Sequence, residues 1–255
     1  MNNTPQDIAL ARDLGFNESV ITVIKAHTDE PIDRLMTMNE NGEHEPTAGL
    51  SVRVADGEEA ERLLNAMRDP LAKLGYRAFW SERIEANGLK ESDEIAVLKT
   101  SDPYAMIRLR KSDGANYGLF TEDILDRLDA WRKLGDFEVV GASGSWVAIQ
   151  FARLPENICT FAEEVYLFCP DSVTQGVGLS QAGDVEKVEA ARALCPGGLS
   201  ESVRQKLSSE LGQIASMVPT EASDFSELLH AEVETGIRLL AAELRRSNYL
   251  FLWWD

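Results

Sequence analysis

The sequence predicts an α+β fold, and three observations support that prediction. Short β-branched or aromatic segments alternate with stretches whose apolar residues recur at helical spacing. The order in each half is close to β-α-β-β-α, with a further strand closing the second half. That is the pattern of two split β-α-β (ferredoxin-like) units on antiparallel sheets. Finally, a purely helical stretch at about 179–233 stands before the closing strand and reads as an insertion. The turn Ser112-Asp113-Gly114-Ala115-Asn116-Tyr117-Gly118 separates an N-terminal α+β region, residues 1–112, from a C-terminal domain, residues 113–255.

The elements follow in order. Residues 1–20 have apolar points at Ile8, Leu10, Leu14 and Phe16 and predict a helix broken at Gly15. Val20–Ala26 is β-branched and predicts a strand. Asn39–Pro46 reads as a polar loop and Gly49–Val54 as a strand. Ala55-Asp56-Gly57 turns into a helix carrying Ala60, Leu63, Leu64, Met67 and Leu71, which Gly75 ends. Tyr76–Glu82 and Glu94–Lys99 predict two strands around a polar loop at Glu85–Asp93, while Ala105–Lys111 fits a short helix or a strand.

In the second half, Thr121 is placed to cap a helix whose Ile124, Leu125, Leu128 and Trp131 share one face. On that helix Asp123, Asp126 and Asp129 form a solvated face. Phe137–Ala142 and Trp146–Phe151 read as a hairpin across Ser143-Gly144-Ser145. Pro155 opens a helix that stops at Cys169-Pro170. Helices are predicted at Val185–Leu194, Glu201–Met217 and Phe225–Arg246, and Ser247-Asn248 releases the chain into a terminal strand formed by the last six residues, Leu250–Asp255. A segment this apolar is expected to be buried.

Charge limits the partners. The 255 residues carry 25 Lys and Arg against 43 Asp and Glu, a net charge of −18. The excess is spread along the chain and not gathered in a tail. A field of that sign repels phosphate backbones, so no nucleic-acid partner is expected, and it attracts a basic protein. The N-terminus shows no basic region followed by an apolar run, and the apolar runs at Trp146–Ala152 and Tyr249–Trp254 are too short to span a bilayer, so no membrane partner is expected. Cys159, Cys169 and Cys195 form an odd set without C-x-x-C spacing, which argues for reduced thiols and a cytoplasmic location.

Signatures of known chemistry are sparse. Gly141-Ala142-Ser143-Gly144-Ser145 lacks the second Gly of a hydrolase elbow and reads as a hairpin turn. No phosphate loop, dinucleotide fingerprint, zinc helix or calcium loop occurs, so no cofactor, metal or catalytic residue is assigned. Cys169 follows its helix end, where the dipole raises a thiol pKa, and reads as a small buried residue with Asp171 bonding the turn. Glu163 and Glu164 point about 100° apart on their helix and cannot act as a catalytic pair with each other.

The segments Phe161-Ala162-Glu163-Glu164-Val165-Tyr166-Leu167-Phe168-Cys169-Pro170-Asp171, Gln175-Gly176-Val177-Gly178, Leu240-Ala241-Ala242-Glu243-Leu244 and Leu250-Phe251-Leu252-Trp253-Trp254-Asp255 closely resemble a bacterial family catalogued as domain of unknown function 4253. Trp131, Trp146-Val147 and Asp113-Gly114-Ala115-Asn116-Tyr117 also resemble its pattern. The specific motifs cover about 116–178 and 234–255, and Leu179–Val233 departs from the pattern as an insert. The resemblance implies a fold and no mechanism. Two functions are therefore carried forward. One is a non-catalytic binding protein with a basic partner, an immunity-type factor being one form. The other is an enzyme or small-ligand binder using a cleft formed by Trp146, Glu163, Glu164, Asp171, Trp253, Trp254 and Asp255.

Overall fold

The computed structural model describes residues 3–39, 41–84, 90–217 and 222–254. Its strands are β1 (Ile32–Met38), β2 (His44–Val54), β3 (Arg77–Ile84), β4 (Lys90–Leu98), β5 (Asp136–Ala142), β6 (Trp146–Arg153) and β7 (Tyr249–Trp253). Its helices are α1 (Pro5–Asp13), α2 (Glu18–Lys25), α3 (Gly57–Lys73), α4 (Ala105–Arg110), α5 (Thr121–Trp131), α6 (Ile158–Phe168), α7 (Leu179–Gln181), α8 (Val185–Leu194), α9 (Glu201–Met217) and α10 (Ala222–Ser247). A 3₁₀ turn spans Ala115–Tyr117 and a π-helix spans Ser172–Gly178. The strands form one sheet in the order β1-β2-β4-β3-β5-β6-β7, and the fold is α+β. Two compact units divide the chain. Unit 1 is Met1–Asp113, Phe120–Leu125 and Glu138–Ala148; unit 2 is Gly114–Leu119, Asp126–Phe137 and Ile149–Asp255.

In unit 1 the strand expected at Val20–Ala26 is a helix, α2. The Asn17 side chain caps it by accepting the Ser19 N–H at 2.9 Å. Val20, Ile21 and Ile24 are fully buried. Their spacing gathers them on one helical face, whereas a strand would put Ile21 opposite the other two. Packing of that face outweighs β-branched propensity. The strand β1 has no sequence-based counterpart, because its register shifts between Arg34 and Met36 and erases the alternation. The expected loop to Pro46 is shorter, since β2 starts at His44 and pairs with Met38. The loop expected at Glu85–Asp93 gives way to β4 from Lys90, and residues 85–89 lie outside the described residues. From β2 to α4 the order is β-α-β-β-α, as expected, with the additional strand β1 ahead of it. The pairs β1–β2, β2–β4 and β3–β4 are antiparallel, and β3 meets β5 in parallel at Trp80 and Gly141.

One sheet face of unit 1 packs on α1, α2 and α3 through an aliphatic core that includes Ile24, Leu50, Val52, Leu63, Met67, Leu71, Ile95 and Val97. The other face is polar in part. There the Glu94 carboxylate, 2% exposed, is held by the Arg110 guanidinium and lies 3.5 Å from Arg83 Nε. Arg110 also donates to Ser81 Oγ at 2.8 Å and to the Met36 carbonyl at 2.8 Å. Arg83 donates to Ser51 Oγ at 2.9 Å and to Asp33 at 3.0 Å. Burial lowers the Arg110 pKa, with the Glu94 charge working against it. The Thr121 cap is corrected as well. The Phe120 carbonyl accepts the first α5 bond and its N–H donates to Asp123, while the Thr121 hydroxyl donates to the Ser112 carbonyl.

Unit 2 is built around aromatic rings. Phe137 meets Phe151 at 5.3 Å, Phe151 meets Phe161 at 5.7 Å, and Phe161 meets Trp131 at 5.1 Å. Trp131 then meets Phe168 at 5.6 Å, and Phe168 meets Trp254 at 5.7 Å, every contact edge to face. Trp131 is 1% exposed, and among the described residues its Nε1 has no hydrogen-bond acceptor. The helices α8 and α9 keep the predicted ends, and α10 begins at Ala222. The expectation of reduced cysteines is overturned for two of them: Cys159 and Cys195 form a disulfide. It closes a 36-residue separation between the first turn of α6 and the end of α8, and loop closure on that scale contributes about 3–4 kcal/mol. An odd count hides a pair plus one thiol, and sequence spacing could not say which two meet. Among the described residues no helix is long and apolar enough to cross a membrane.

Candidate functional site

The segment Phe168-Cys169-Pro170-Asp171 and the end of β7 meet in unit 2. The Asn157 side chain caps α6 by accepting the Thr160 N–H, and the helix ends at Cys169 ahead of Pro170. There the Cys169 thiol donates to the Trp253 carbonyl at 3.0 Å. The Trp253 N–H donates to Ser172 Oγ at 2.8 Å, and Ser172 Oγ lies 3.0 Å from Cys169 Sγ. This closed ring of three residues joins the two halves of the sequence signature. Trp254, 3% exposed, follows directly, with its Nε1–H directed at the Phe168 carbonyl at 3.5 Å.

Burial pushes the Cys169 thiol up to about 11, although bonds from Ser172 and Trp253 oppose the shift. It is a neutral thiol at physiological pH, not an activated nucleophile. Asp171, also buried, accepts the Tyr117 hydroxyl at 2.7 Å and the Gln175 amide at 2.9 Å. Burial first, and then this bond to Asp171, raise the Tyr117 pKa. Burial and the nearby Glu210 do the same for Tyr166. Gly114 sits against the Trp254 indole, where a Cβ would lie 2.8 Å from the ring. Glycine is therefore required for this approach. The π-helix reaches α10 by the same means, because a Cβ on Gly236 would lie 3.1 Å from the Val173 carbonyl oxygen.

The two adjacent glutamates diverge, as their 100° separation requires. Glu164 pairs with Arg127 at 3.2 Å, and the Arg127 guanidinium lies 5.2 Å from the Phe168 ring centre. Glu163 accepts the Ser200 N–H at 3.0 Å and borders a cavity of about 420 Å³. That cavity is lined by Cys159, Thr160, the Cys195–Ser200 loop, Glu234, Ile237 and Arg238. Arg238 donates to the carbonyls of Cys195 at 3.1 Å and Gly197 at 3.0 Å, and to Glu234 at 2.8 Å.

The candidate residues thus fall into separate groups. Asp171, Trp253 and Trp254 come together around Cys169 and Ser172, and Glu163 faces the cavity beside the disulfide. Glu164 lies with Arg127. Trp146 belongs to unit 1, where its ring packs on Trp80 at 4.6 Å. Asp255 lies outside the described residues. Sequence reasoning missed Tyr117, Ser172 and Arg238. The first had a signal, since Tyr117 stands in a motif that resembles the family.

The family model described as "Domain of unknown function (DUF4253)" matches residues 94–255, well over half of the chain. The chain belongs to that family. The matched span contains β5 to β7, the Cys169–Trp253 ring, the aromatic series and the helices α7 to α10. No curated protein and no solved structure matches the chain.

Proposed function

We propose that this protein is a non-catalytic cytoplasmic binding protein whose partner presents a basic surface, an immunity-type factor that masks a basic toxin domain being one form. The observation that carries this reading lies in the 179–233 segment. On α8, Val185 is 68% exposed, with Glu189 exposed one turn on. On α10, Leu228 is 64% exposed, with Glu227 beside it and Glu232 one turn on. An apolar anchor with a charged rim is the usual anatomy of a protein-binding patch. The net charge of −18 sets the sign of the partner. Many arginines are already neutralised in place, among them Arg53, Arg83, Arg110, Arg127 and Arg238, each within salt-bridge distance of a carboxylate.

Affinity capture with the tagged full chain from host lysate, followed by titration of the recovered protein, tests this. A basic partner should bind on the order of tenfold more weakly at about 500 mM than at about 50 mM salt. Leu228→Lys and Glu232→Lys should each weaken it further. Recovery of no basic protein, or binding indifferent to salt, defeats the reading. A second reading, a small-ligand site, is favoured by one observation: Glu163 borders a cavity of ligand size.

A further inference from the structure

We propose that the Cys159–Cys195 disulfide is a redox-operated latch that holds α8 and the Cys195–Ser200 loop over the cavity bordered by Glu163 and Arg238. The helix α8 has little hold of its own. Of its ten residues only Ala191 is buried. It packs against α10, yet it buries only that one side chain, a far smaller apolar face than a surface helix normally uses, so the tie at its end adds much of its hold. Its C-terminal end is Cys195, tied covalently to the first turn of α6. Beyond that tie the loop is held by polar contacts: Arg238 to the Cys195 and Gly197 carbonyls, and the Ser200 N–H to Glu163.

The bond is also open to attack. Cys159 is half-buried and borders two cavities, the one described above and a second of about 490 Å³ that Glu156, Ile158, Leu194 and Arg245 also line. Cys195 is only 6% exposed. Thiol–disulfide exchange requires access for the incoming thiolate, so the Cys159 sulfur is the one attacked. A dithiol reductant supplies that thiolate. Its sulfur bonds to Cys159 Sγ as the Cys159–Cys195 bond breaks, and Cys195 leaves as a thiolate and takes up a proton. The reductant's second thiol loses its proton and attacks the mixed disulfide, releasing Cys159, which is protonated in turn. Two electrons pass to the protein and the reductant ends as its own disulfide.

Once the tie is cut, α8 and the loop form a locally unstable segment that opens without unfolding the rest. Disulfides with an accessible sulfur are the ones most readily reduced, and so the ones open to regulation. Val185 and Glu189 lie on α8, so reduction also displaces part of the proposed docking surface. That consequence rests on the partner reading, whereas the latch itself does not.

Hydrogen exchange on the full-length protein, oxidised and after treatment with dithiothreitol, tests the latch without any partner. Peptides within 185–200 should exchange about tenfold or more faster after reduction, while those within β2 and β4 keep their rates. The Cys159→Ser/Cys195→Ser double variant should show the fast pattern with or without dithiothreitol. If that variant does not fold, the wild-type comparison still decides. The proposal is overturned if 185–200 keeps its protection after complete reduction, or if exchange accelerates equally throughout the chain. It is also overturned if both cysteines alkylate in protein never exposed to reductant.

Discussion

The two units reach stability by different chemistry. Unit 1 covers one sheet face with aliphatic side chains and places a carboxylate between two guanidiniums on the other. Unit 2 threads six aromatic rings from Phe137 to Trp254 and locks its last strand with a thiol, a hydroxyl and two backbone groups. The difference shows where each unit is vulnerable. A buried ion pair is weak evidence for stability while intact, yet removing one partner leaves an uncompensated charge. An aromatic core fails by cavity formation.

The largest expected effect breaks unit 1 through charge. Glu94→Ala strands Arg110, whose side chain is 8% exposed, and should cost about 3–5 kcal/mol in urea unfolding. A loss below about 1 kcal/mol would mean that water already compensates these charges. For unit 2, Trp131→Ala should cost about 3–5 kcal/mol. Trp131→Phe keeps most of the ring and removes an N–H that has no acceptor, so it should cost less than about 1.5 kcal/mol. A large loss on Trp131→Phe would show that the indole nitrogen has a role in the core.

The alkaline limb sharpens the contrast. Cys169 titrates at about 11 in the folded protein against an ordinary 9.0, so the folded state holds its proton more tightly. That stability is present in full below pH 9 and is lost as pH rises through 11, amounting to about 2–3 kcal/mol. Thermal melts between these limits should show the decline, and Cys169→Ala should flatten it. Gly114→Ala drives a methyl group into Trp254 and should lower unit 2 stability by about 1–3 kcal/mol, read as a fall in melting temperature. Smallest of all, Glu164→Gln removes a half-exposed pair with Arg127 and should change stability by less than about 1 kcal/mol.

What could be read in the sequence was what is local. The helix α3 announces itself through its apolar spacing and through Asp56 and Gly75 at its ends. The bipartite signature pointed to Asp171, Trp253 and Trp254 as one candidate set, while the bond that ties its two halves runs through Cys169, which read as a small buried residue. Long-range partners stayed hidden. The bulge in β1 concealed a strand, the packing face of α2 overrode its β-branched residues, and the partner of Cys159 stands 36 positions away. Trp146 read as a cleft residue because strand tryptophans look alike in sequence. Only the fold shows that its neighbour is Trp80.

That neighbour has an optical consequence. Two indoles with centres 4.6 Å apart and planes tilted by 40° do not absorb independently. Their transitions mix, and the mixed states absorb left- and right-handed circularly polarised light unequally, with opposite signs. Trp80 and Trp146 both belong to unit 1. The pair is therefore a built-in spectroscopic gauge of that unit, and it vanishes when β3 and β6 lose their places whatever happens to the rings of unit 2.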